Sequence, residues 1–258
     1  MPFAALLPDV SWYVLAAIPF IVLAAYTVFG ATGFGSSIIA VPMLAHGLPL
    51  TFAVPLVTAL DAGATSAQSA RLWRLAAWPE IRRLMPPILV GIALGATLLV
   101  RLPREPALLG MGVFVTIYGV YLLAGARTLR TAPAWLAWPL GLAGGVVSVV
   151  FGTGGPIYMV FLSARIHDKS ALRATSSVVV TVSVWIRVGV FVVTGLLLQA
   201  PLLVLAVAML PVMWLGLKLG NRLHHALSGA SVLRLIALML AGNGLSLIVR
   251  ALPLLRGE

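Results

Sequence analysis

Long apolar segments, separated by short clusters of charged residues, proline and glycine, fill most of the chain. A helix needs about 20 apolar residues to cross the hydrocarbon core of a bilayer, and most of the segments approach that length. Two of them are too short to cross, and each follows a glycine-rich motif. We predict that each short segment is the returning arm of a helical hairpin whose first arm is the segment before it. The first half contains segments 11–30, 34–47, 51–70, 85–101 and 107–126, and the second half contains 136–151, 155–164, 174–198, 201–218 and 231–250.

The two glycine-rich motifs repeat each other at a fixed spacing. The first glycine motif (residues 33–37) reads Gly-Phe-Gly-Ser-Ser, and the second (residues 152–156) reads Gly-Thr-Gly-Gly-Pro. Gly152 follows Gly33 by 119 residues. Glycine clusters destabilise an ordinary helix, because glycine loses more backbone entropy than other residues. Their repetition therefore indicates a duplicated fold with a broken helix in each half, which is typical of a transport site.

The placement of arginine and lysine predicts that the two halves are inverted. If each hairpin returns to its starting side, inside loops contain Arg71, Arg74, Arg82, Arg83, Arg127, Arg130, Arg165, Lys169, Arg173, Lys218 and Arg222, and outside regions contain Arg101, Arg104, Arg250 and Arg256. If each hairpin is one crossing, these residues divide almost equally between the two sides. Because inside loops carry excess positive charge, we predict an all-α polytopic membrane domain with two inverted repeats, residues 1–126 and 127–258. Each repeat has a re-entrant hairpin and three transmembrane helices.

The start of each short segment offers hydrogen-bond donors to an anion. A helix that begins at Ser36 or Pro156 leaves several N–H groups without intrahelical partners. Within a membrane, such ends occur only where they face protein or a water-filled cavity, and their partial positive charge favours an anion. The alternative is that the glycines only allow close helix packing. The predicted anion ligands are Gly33, Gly35, Ser36, Ser37, Gly152, Thr153, Gly154 and Gly155.

Polar side chains inside apolar segments form a second set of candidate residues. Arg187 lies near the centre of segment 174–198, where an unpaired arginine costs at least about 2.5–3.5 kcal/mol. Gln68 is its equivalent in the first half, and Asp61 lies on the same helical face as Gln68. We predict that Arg187 and Gln68 bind the substrate and that Asp61 accepts a proton. The alternative is a structural ion pair between Asp61 and Arg187.

Composition narrows the class of protein. The hydrophobic fraction is 61% and only 9% of residues are charged, whereas a soluble domain carries about 25% charged residues. The net charge is +11, and the basic residues flank the apolar segments. In a membrane protein such residues contact anionic lipid, so this charge does not indicate nucleic-acid binding. The chain has no cysteine and no metal-site spacing of His, Asp or Glu, so we predict no disulfide, metal or cofactor.

These features resemble the sulfite exporter TauE/SafE family of membrane permeases. The resemblance rests on the paired glycine motifs, on the apolar arms that reach Pro42 and Val160, and on the stretch 171–176. The second arm has Phe161 where the first has Pro42, and the family usually has more glycines in the first motif. The resemblance implies a transporter, often outward, of sulfite, sulfonates or sulfoacetate at a bacterial inner membrane.

Other functions stay open beside this one. An anion channel would use the same donors without alternating access, and a carrier could instead transport a small carboxylate that contains no sulfur. An intramembrane hydrolase built on Ser36 would need a buried base, and no histidine lies in the middle of an apolar segment, so we predict no enzyme. The expected partners are the anion and membrane lipid, with a homodimer as a candidate assembly.

We predict that both termini lie on the outer side of the membrane, because the N-terminal eleven residues contain no arginine or lysine and the charge distribution gives both termini the same side. A C-terminal reporter that is active only outside the cytoplasm should give a signal. A signal from a C-terminal reporter that is active only in the cytoplasm would contradict the inverted topology.

Overall fold

The computed structural model describes residues 11–32, 36–124, 132–223 and 229–256. Within these ranges the chain forms ten α-helices and two short 3₁₀ turns, and it contains no strand. The all-helical fold predicted from the apolar segments is thereby confirmed. The helices are α1 (Trp12–Thr32), α2 (Ser36–Ala45), α3 (Leu50–Leu72), α4 (Trp78–Arg101), α5 (Arg104–Leu123), α6 (Ala137–Val150), α7 (Gly155–Arg165), α8 (Lys169–Val193), α9 (Ala200–Leu223) and α10 (Gly229–Arg256).

Six helices in the described ranges are long and apolar enough to cross a membrane. They are α1, α3, α4, α5, α8 and α9. The two short segments of the sequence correspond to α2, with 10 residues, and α7, with 11 residues. Large apolar side chains such as Val193 and Val207 are 88% and 66% exposed. Such side chains on the outside of the bundle are suited to contact with lipid.

Helix α4 begins seven residues before the segment predicted from residue 85. The charged residues between Trp78 and Met85 ended the apolar run in the sequence, but the structure gives them partners. Glu80 accepts hydrogen bonds from Arg165 at 2.7 and 3.0 Å and from Arg83 at 2.6 Å. The hydroxyl of Thr175 also accepts a hydrogen bond from the N–H of Ala77 at the start of the helix. The charges therefore anchor the first turns of α4 instead of ending it.

Two helix pairs run parallel and pack through glycine. On α9, Gly216 lies against Leu23 of α1, and Gly220 lies one turn farther along against Thr27 and Gly30. A methyl group at Gly220 would overlap the carbonyl oxygen of Thr27. Small residues spaced by four let membrane helices approach closely, so this contact depends on the absence of side chains.

Helices α4 and α6 form a second parallel pair, which, like α1 and α9, joins residues before position 126 to residues after it. Gly91 of α4 lies against Leu142 and Gly145 of α6, and Gly95 lies farther along against Val146. A Cβ atom at Gly145 would lie 2.5 Å from the carbonyl oxygen of Ile88. Both pairs therefore use the same packing chemistry.

The other two helix pairs run antiparallel. Gly112 of α5 lies against Gly244 of α10, and Gly119 lies against Ala237 and Ala241, so α10 runs back along α5. Helices α3 and α8 also run antiparallel, because their contacts pair later positions of α3 with earlier positions of α8. The hydroxyl of Thr181 donates to the carbonyl of Thr65 at 3.1 Å, whereas Thr175 bonds to Ala77, beyond the end of α3.

Equivalent positions of the two halves meet directly between α3 and α8. The indole N–H of Trp185 donates to the hydroxyl of Ser66 at 2.9 Å, and the two residues are 119 positions apart. This is the spacing of the two glycine motifs. Helices α2 and α7 also begin 119 residues apart, as do α3 and α8. The contact therefore joins two positions that correspond to each other at the spacing of the motifs.

The far ends of α2 and α7 are held in related ways. After α2, the carbonyl of His46 accepts a hydrogen bond from Arg250, and burial together with the positive charge of Arg250 lowers the pKa of the His46 imidazole. After α7, Arg165 donates to the carbonyl of Ala132 at 2.7 Å. His46 and Arg165 are equivalent positions, so each short helix is tied at the end remote from its glycine motif.

We predict that Gly220→Ala destabilises the protein by about 1–3 kcal/mol, because its methyl group overpacks the contact with α1. Thermal unfolding in detergent, followed by tryptophan fluorescence, measures the change. Gly242→Ala is the matched control, since no atom lies within 4 Å of a Cβ atom at that position. Alanine there should leave Tm unchanged or raise it. An equal Tm for both variants would contradict the packing role of Gly220.

Candidate functional site

The starts of α2 and α7 meet the middles of α3 and α8 around a small cavity, which we call the central cavity. Its volume is about 40 Å³. A cavity of roughly 10–15 Å³ holds one water molecule, so the central cavity has room for about three waters or for the head group of a small ion. Its lining consists of Phe29, Ser36, Ser37, Asp61, Thr65, Gly152, Thr153, Gly154, Gly155, Pro156, Tyr158, Val180, Ser183 and Arg187.

The second glycine motif supplies backbone donors to one side of the cavity. Gly152 has a φ of +78°, which only glycine adopts readily, and Gly154 is the N-cap of α7. A Cβ atom at Gly154 would lie 2.5 Å from the carbonyl oxygen of Gly144. Within the described ranges, no backbone carbonyl accepts a hydrogen bond from the N–H of Thr153, Gly154 or Gly155. These donors, together with the hydroxyl of Thr153, are available to a ligand.

Arg187 holds the second motif in place from α8. Its Nη1 donates to the carbonyl oxygens of Ser148 at 2.6 Å and Gly152 at 2.8 Å. The side chain is 3% exposed, and its buried Nε has no hydrogen-bond partner in the described part of the chain. An unpaired buried donor on a charged group is costly. Arg187 therefore both closes the end of α6 and keeps one donor unused beside the cavity.

Asp61 occupies the opposite side of the cavity and binds three hydroxyl groups. Its carboxylate accepts hydrogen bonds from Tyr26 at 2.6 Å, from Ser36 at 2.7 Å and from Ser37. Asp61 is 2% exposed. The first glycine motif thus presents its hydroxyl donors to a carboxylate of the protein itself, while the second motif leaves its donors free.

The cavity brings together most of the candidate ligands from the sequence. Ser36, Ser37, Gly152, Thr153, Gly154, Gly155, Asp61 and Arg187 all line it. Gln68 does not line the central cavity and instead lines a neighbouring one. Gly33 and Gly35 lie outside the described residues. The described residues contain no ion pair between Asp61 and Arg187 within 4.0 Å.

Two buried tyrosines belong to the site although the sequence analysis did not select them. Tyr26 reaches Asp61 from α1. Tyr158 of α7 lines the cavity with its hydroxyl 3.4 Å from that of Ser183. A hydroxyl-bearing aromatic residue within an apolar segment is a weak signal, because interfacial and core tyrosines are both common.

No group of three or more His, Cys, Asp or Glu side chains in the described ranges could hold a metal ion. The polar lining of the central cavity consists of the second glycine motif, Arg187 and several hydroxyl groups, with Asp61 as its one carboxylate. Hydrogen-bond donors next to an arginine are suited to an anion. The carboxylate of Asp61 can accept a proton.

Comparisons with known proteins agree with the resemblance noted from the motifs. The model of the sulfite exporter TauE/SafE family matches residues 18–247. The chain is 30% identical over 193 residues to the probable inner membrane transporter protein TsaS of Comamonas testosteroni, covering 74% of this chain and 81% of the relative. No solved structure matches the chain. The predicted family is therefore confirmed.

Proposed function

Because the chain belongs to the sulfite exporter TauE/SafE family, we propose that it exports small sulfur-containing anions across a bacterial inner membrane. Sulfite, organic sulfonates and sulfoacetate are the candidate substrates. The anion binds in the central cavity, and the protein works as a secondary transporter with alternating access. The observation that carries this proposal is the set of N–H groups at the start of α7 that have no described backbone partner, next to the buried guanidinium of Arg187, all in the lining of that cavity.

These donors match the chemistry of a sulfite or sulfonate group. Such a group has three oxygen atoms that accept hydrogen bonds from different directions. The guanidinium of Arg187 supplies charge, and the first turn of α7 supplies partly positive backbone donors. Thr153 adds a hydroxyl that has no hydrogen bond in the described structure. A cavity of about 40 Å³ holds the head group, and the remainder of a sulfonate would extend into the adjoining space.

We further propose that residues 1–126 and 127–258 are inverted repeats. Three observations support this arrangement, namely the antiparallel contacts of α3 with α8 and of α5 with α10 and the parallel pairing of α1 with α9. If α3, α4 and α5 alternate in direction, as do α8, α9 and α10, these contacts together with the parallel pair α4–α6 give α1 and α6 opposite directions. Both termini then lie on one side, which the charge distribution assigns to the outside. Inverted halves around a central site are suited to alternating access.

Asp61 gives the proposed transporter a coupling site for protons. With Arg187 charged and Asp61 ionised, the empty cavity is neutral, and a bound anion would leave a net negative charge buried in the membrane. Protonation of Asp61 restores neutrality. It also frees Ser36 and Ser37 from the carboxylate. The ionisable groups that face Asp61 are Tyr26 from α1 and Arg187 from α8. The anion and one proton therefore bind together.

We predict that Arg187→Ala weakens sulfite binding about 10–100-fold, the range expected for a lost hydrogen bond to a charged group. The measurements are the thermal shift of the purified protein with sulfite and sulfite counterflow in proteoliposomes. Because Arg187 also bonds two carbonyls, Thr153→Val is a second variant that removes a donor without disturbing them. Arg222→Gln, an exposed arginine of α9, is the control.

Binding that stays unchanged in both Arg187→Ala and Thr153→Val would overturn the assignment of the anion site. Large single-channel currents would instead identify a channel, because a carrier moves only a few ions in each cycle. Counterflow that saturates with sulfite supports the carrier.

The role of Asp61 predicts a pH dependence of binding. Isethionate, a sulfonate without a group that titrates near neutral pH, should bind up to about tenfold more tightly for each pH unit lowered, over the range in which Asp61 is ionised in the free protein. Asp61→Asn should bind isethionate with little dependence on pH. Isothermal titration calorimetry between pH 5 and pH 8 measures the dependence. Asp168→Asn is the control, since Asp168 is an exposed N-cap of α8. The same slope in Asp61→Asn and in the unmodified protein would contradict the coupling.

A further inference from the structure

A second cavity lies next to the central one, between the ends of α1, α3 and α9 and the start of α8. We call it the vestibule, and its volume is about 320 Å³. Its polar lining consists of Gln68, Arg173, Lys218 and Asn221. The charge distribution of the sequence places Arg173 and Lys218 on the cytoplasmic side. The vestibule is large enough for a whole sulfonate with its water.

The chemistry of the vestibule favours an anion. Two of its four polar side chains are cations, and no acidic residue lines it. None of these four side chains forms a hydrogen bond or an ion pair with another described residue. Closely placed positive charges in a concave, low-dielectric surface raise the local concentration of anions. The amide groups of Gln68 and Asn221 add neutral donors.

Phe29 lines both the central cavity and the vestibule. Its side chain is 4% exposed, and its ring lies edge-on to that of Tyr26, with 6.3 Å between the ring centroids. Tyr26 in turn donates to Asp61. The ring of Phe29 therefore forms part of the wall between the two cavities and packs on a residue of the central site.

The two halves of the sequence differ at positions that line the vestibule. The positions of α4 that correspond to Lys218 and Asn221 are Leu99 and Leu102. These leucines line another cavity, of about 220 Å³, in which Arg104 is the single cation. Two of the four polar residues of the vestibule, Lys218 and Asn221, thus have apolar counterparts at the equivalent positions.

From this juxtaposition we propose that the vestibule is a cytoplasmic loading site for the transported anion, with Phe29 as the gate to the central cavity. The inference rests on the proposed transport function and adds a binding site and a direction to it. Arg173 and Lys218 attract the anion, and Gln68 and Asn221 bind it. Movement of the Phe29 ring then admits it to Arg187 and Thr153.

The first test compares the two faces of the membrane. In the double variant Arg173→Gln and Lys218→Gln, the KM for sulfite taken up by inside-out vesicles should rise about fivefold or more, since each lost charge lowers the local anion concentration. The KM in right-side-out vesicles should stay the same. Arg222→Gln, one turn beyond Lys218 on α9, is the matched control. An equal KM on the cytoplasmic face in the double variant and the unmodified protein would overturn the loading site.

The two proposals fail in different ways. If Arg187→Ala and Thr153→Val lose sulfite binding while the vestibule variant keeps its KM on both faces, only the loading site is wrong. If the central variants bind sulfite normally, the proposed function itself is wrong.

The second test examines the gate and exploits the absence of cysteine from the chain. Gln68 lines the vestibule, and Thr65, one turn earlier on α3, lines the central cavity. In inside-out vesicles, an anionic, membrane-impermeant thiosulfonate should modify Gln68→Cys at least tenfold faster than Thr65→Cys. Adding Phe29→Ala should accelerate modification of Thr65→Cys without changing Gln68→Cys.

Phe29→Leu is the companion variant, because it keeps an apolar side chain that partly fills the space. It should give an intermediate rate at Thr65→Cys. Equal rates at the two cysteines with Phe29 intact would overturn the gate. Acceleration of both cysteines to the same extent by Phe29→Ala would also overturn it.

Discussion

A helix end inside a membrane must find partners for its polar backbone groups, and the central site depends on how this requirement is met. In water, unpaired N–H and C=O groups at a helix end are hydrated, but in hydrocarbon each unsatisfied group costs several kcal/mol. Arg187 satisfies two carbonyls where α6 ends, those of Ser148 and Gly152. The N–H groups where α7 begins have no such partner in the described chain. The backbone groups on one side of the break are thus paired, whereas those on the other side form a polar surface without described backbone partners.

Close packing of the surrounding helices keeps this surface in place. The parallel pairs α1–α9 and α4–α6 meet backbone to backbone through glycine, so little freedom exists for one helix to slide on its partner. The pair α3–α8, in contrast, meets through side chains, including the bond between Trp185 and Ser66. Because α3 carries Asp61 and α8 carries Arg187, the contact with fewer backbone constraints is the one that joins the two polar sides of the cavity.

The sequence was sufficient for the fold class and for most of the cavity lining, but not for the hydrogen bonds within it. Periodic apolar segments and repeated glycines are local features, and they correctly located α2, α7 and Arg187. The partners of Ser36 and Ser37 depend on side-chain directions, which brought both hydroxyls to Asp61 instead of leaving them free. Gln68 was selected because it is equivalent to Arg187. Its shorter side chain lines the vestibule instead of the central cavity.

Divergence between the duplicated halves explains why one cavity has two chemically different sides. Ser36 and Ser37 correspond to Gly155 and Pro156, and Asp61 corresponds to Val180. The first half therefore contributes a carboxylate with its hydroxyl partners, whereas the second contributes an arginine and unpaired backbone donors. Two identical halves would bring either two carboxylates or two arginines to the cavity, and like charges in a buried site repel strongly. The proposed binding of an anion together with a proton depends on this difference between the two halves.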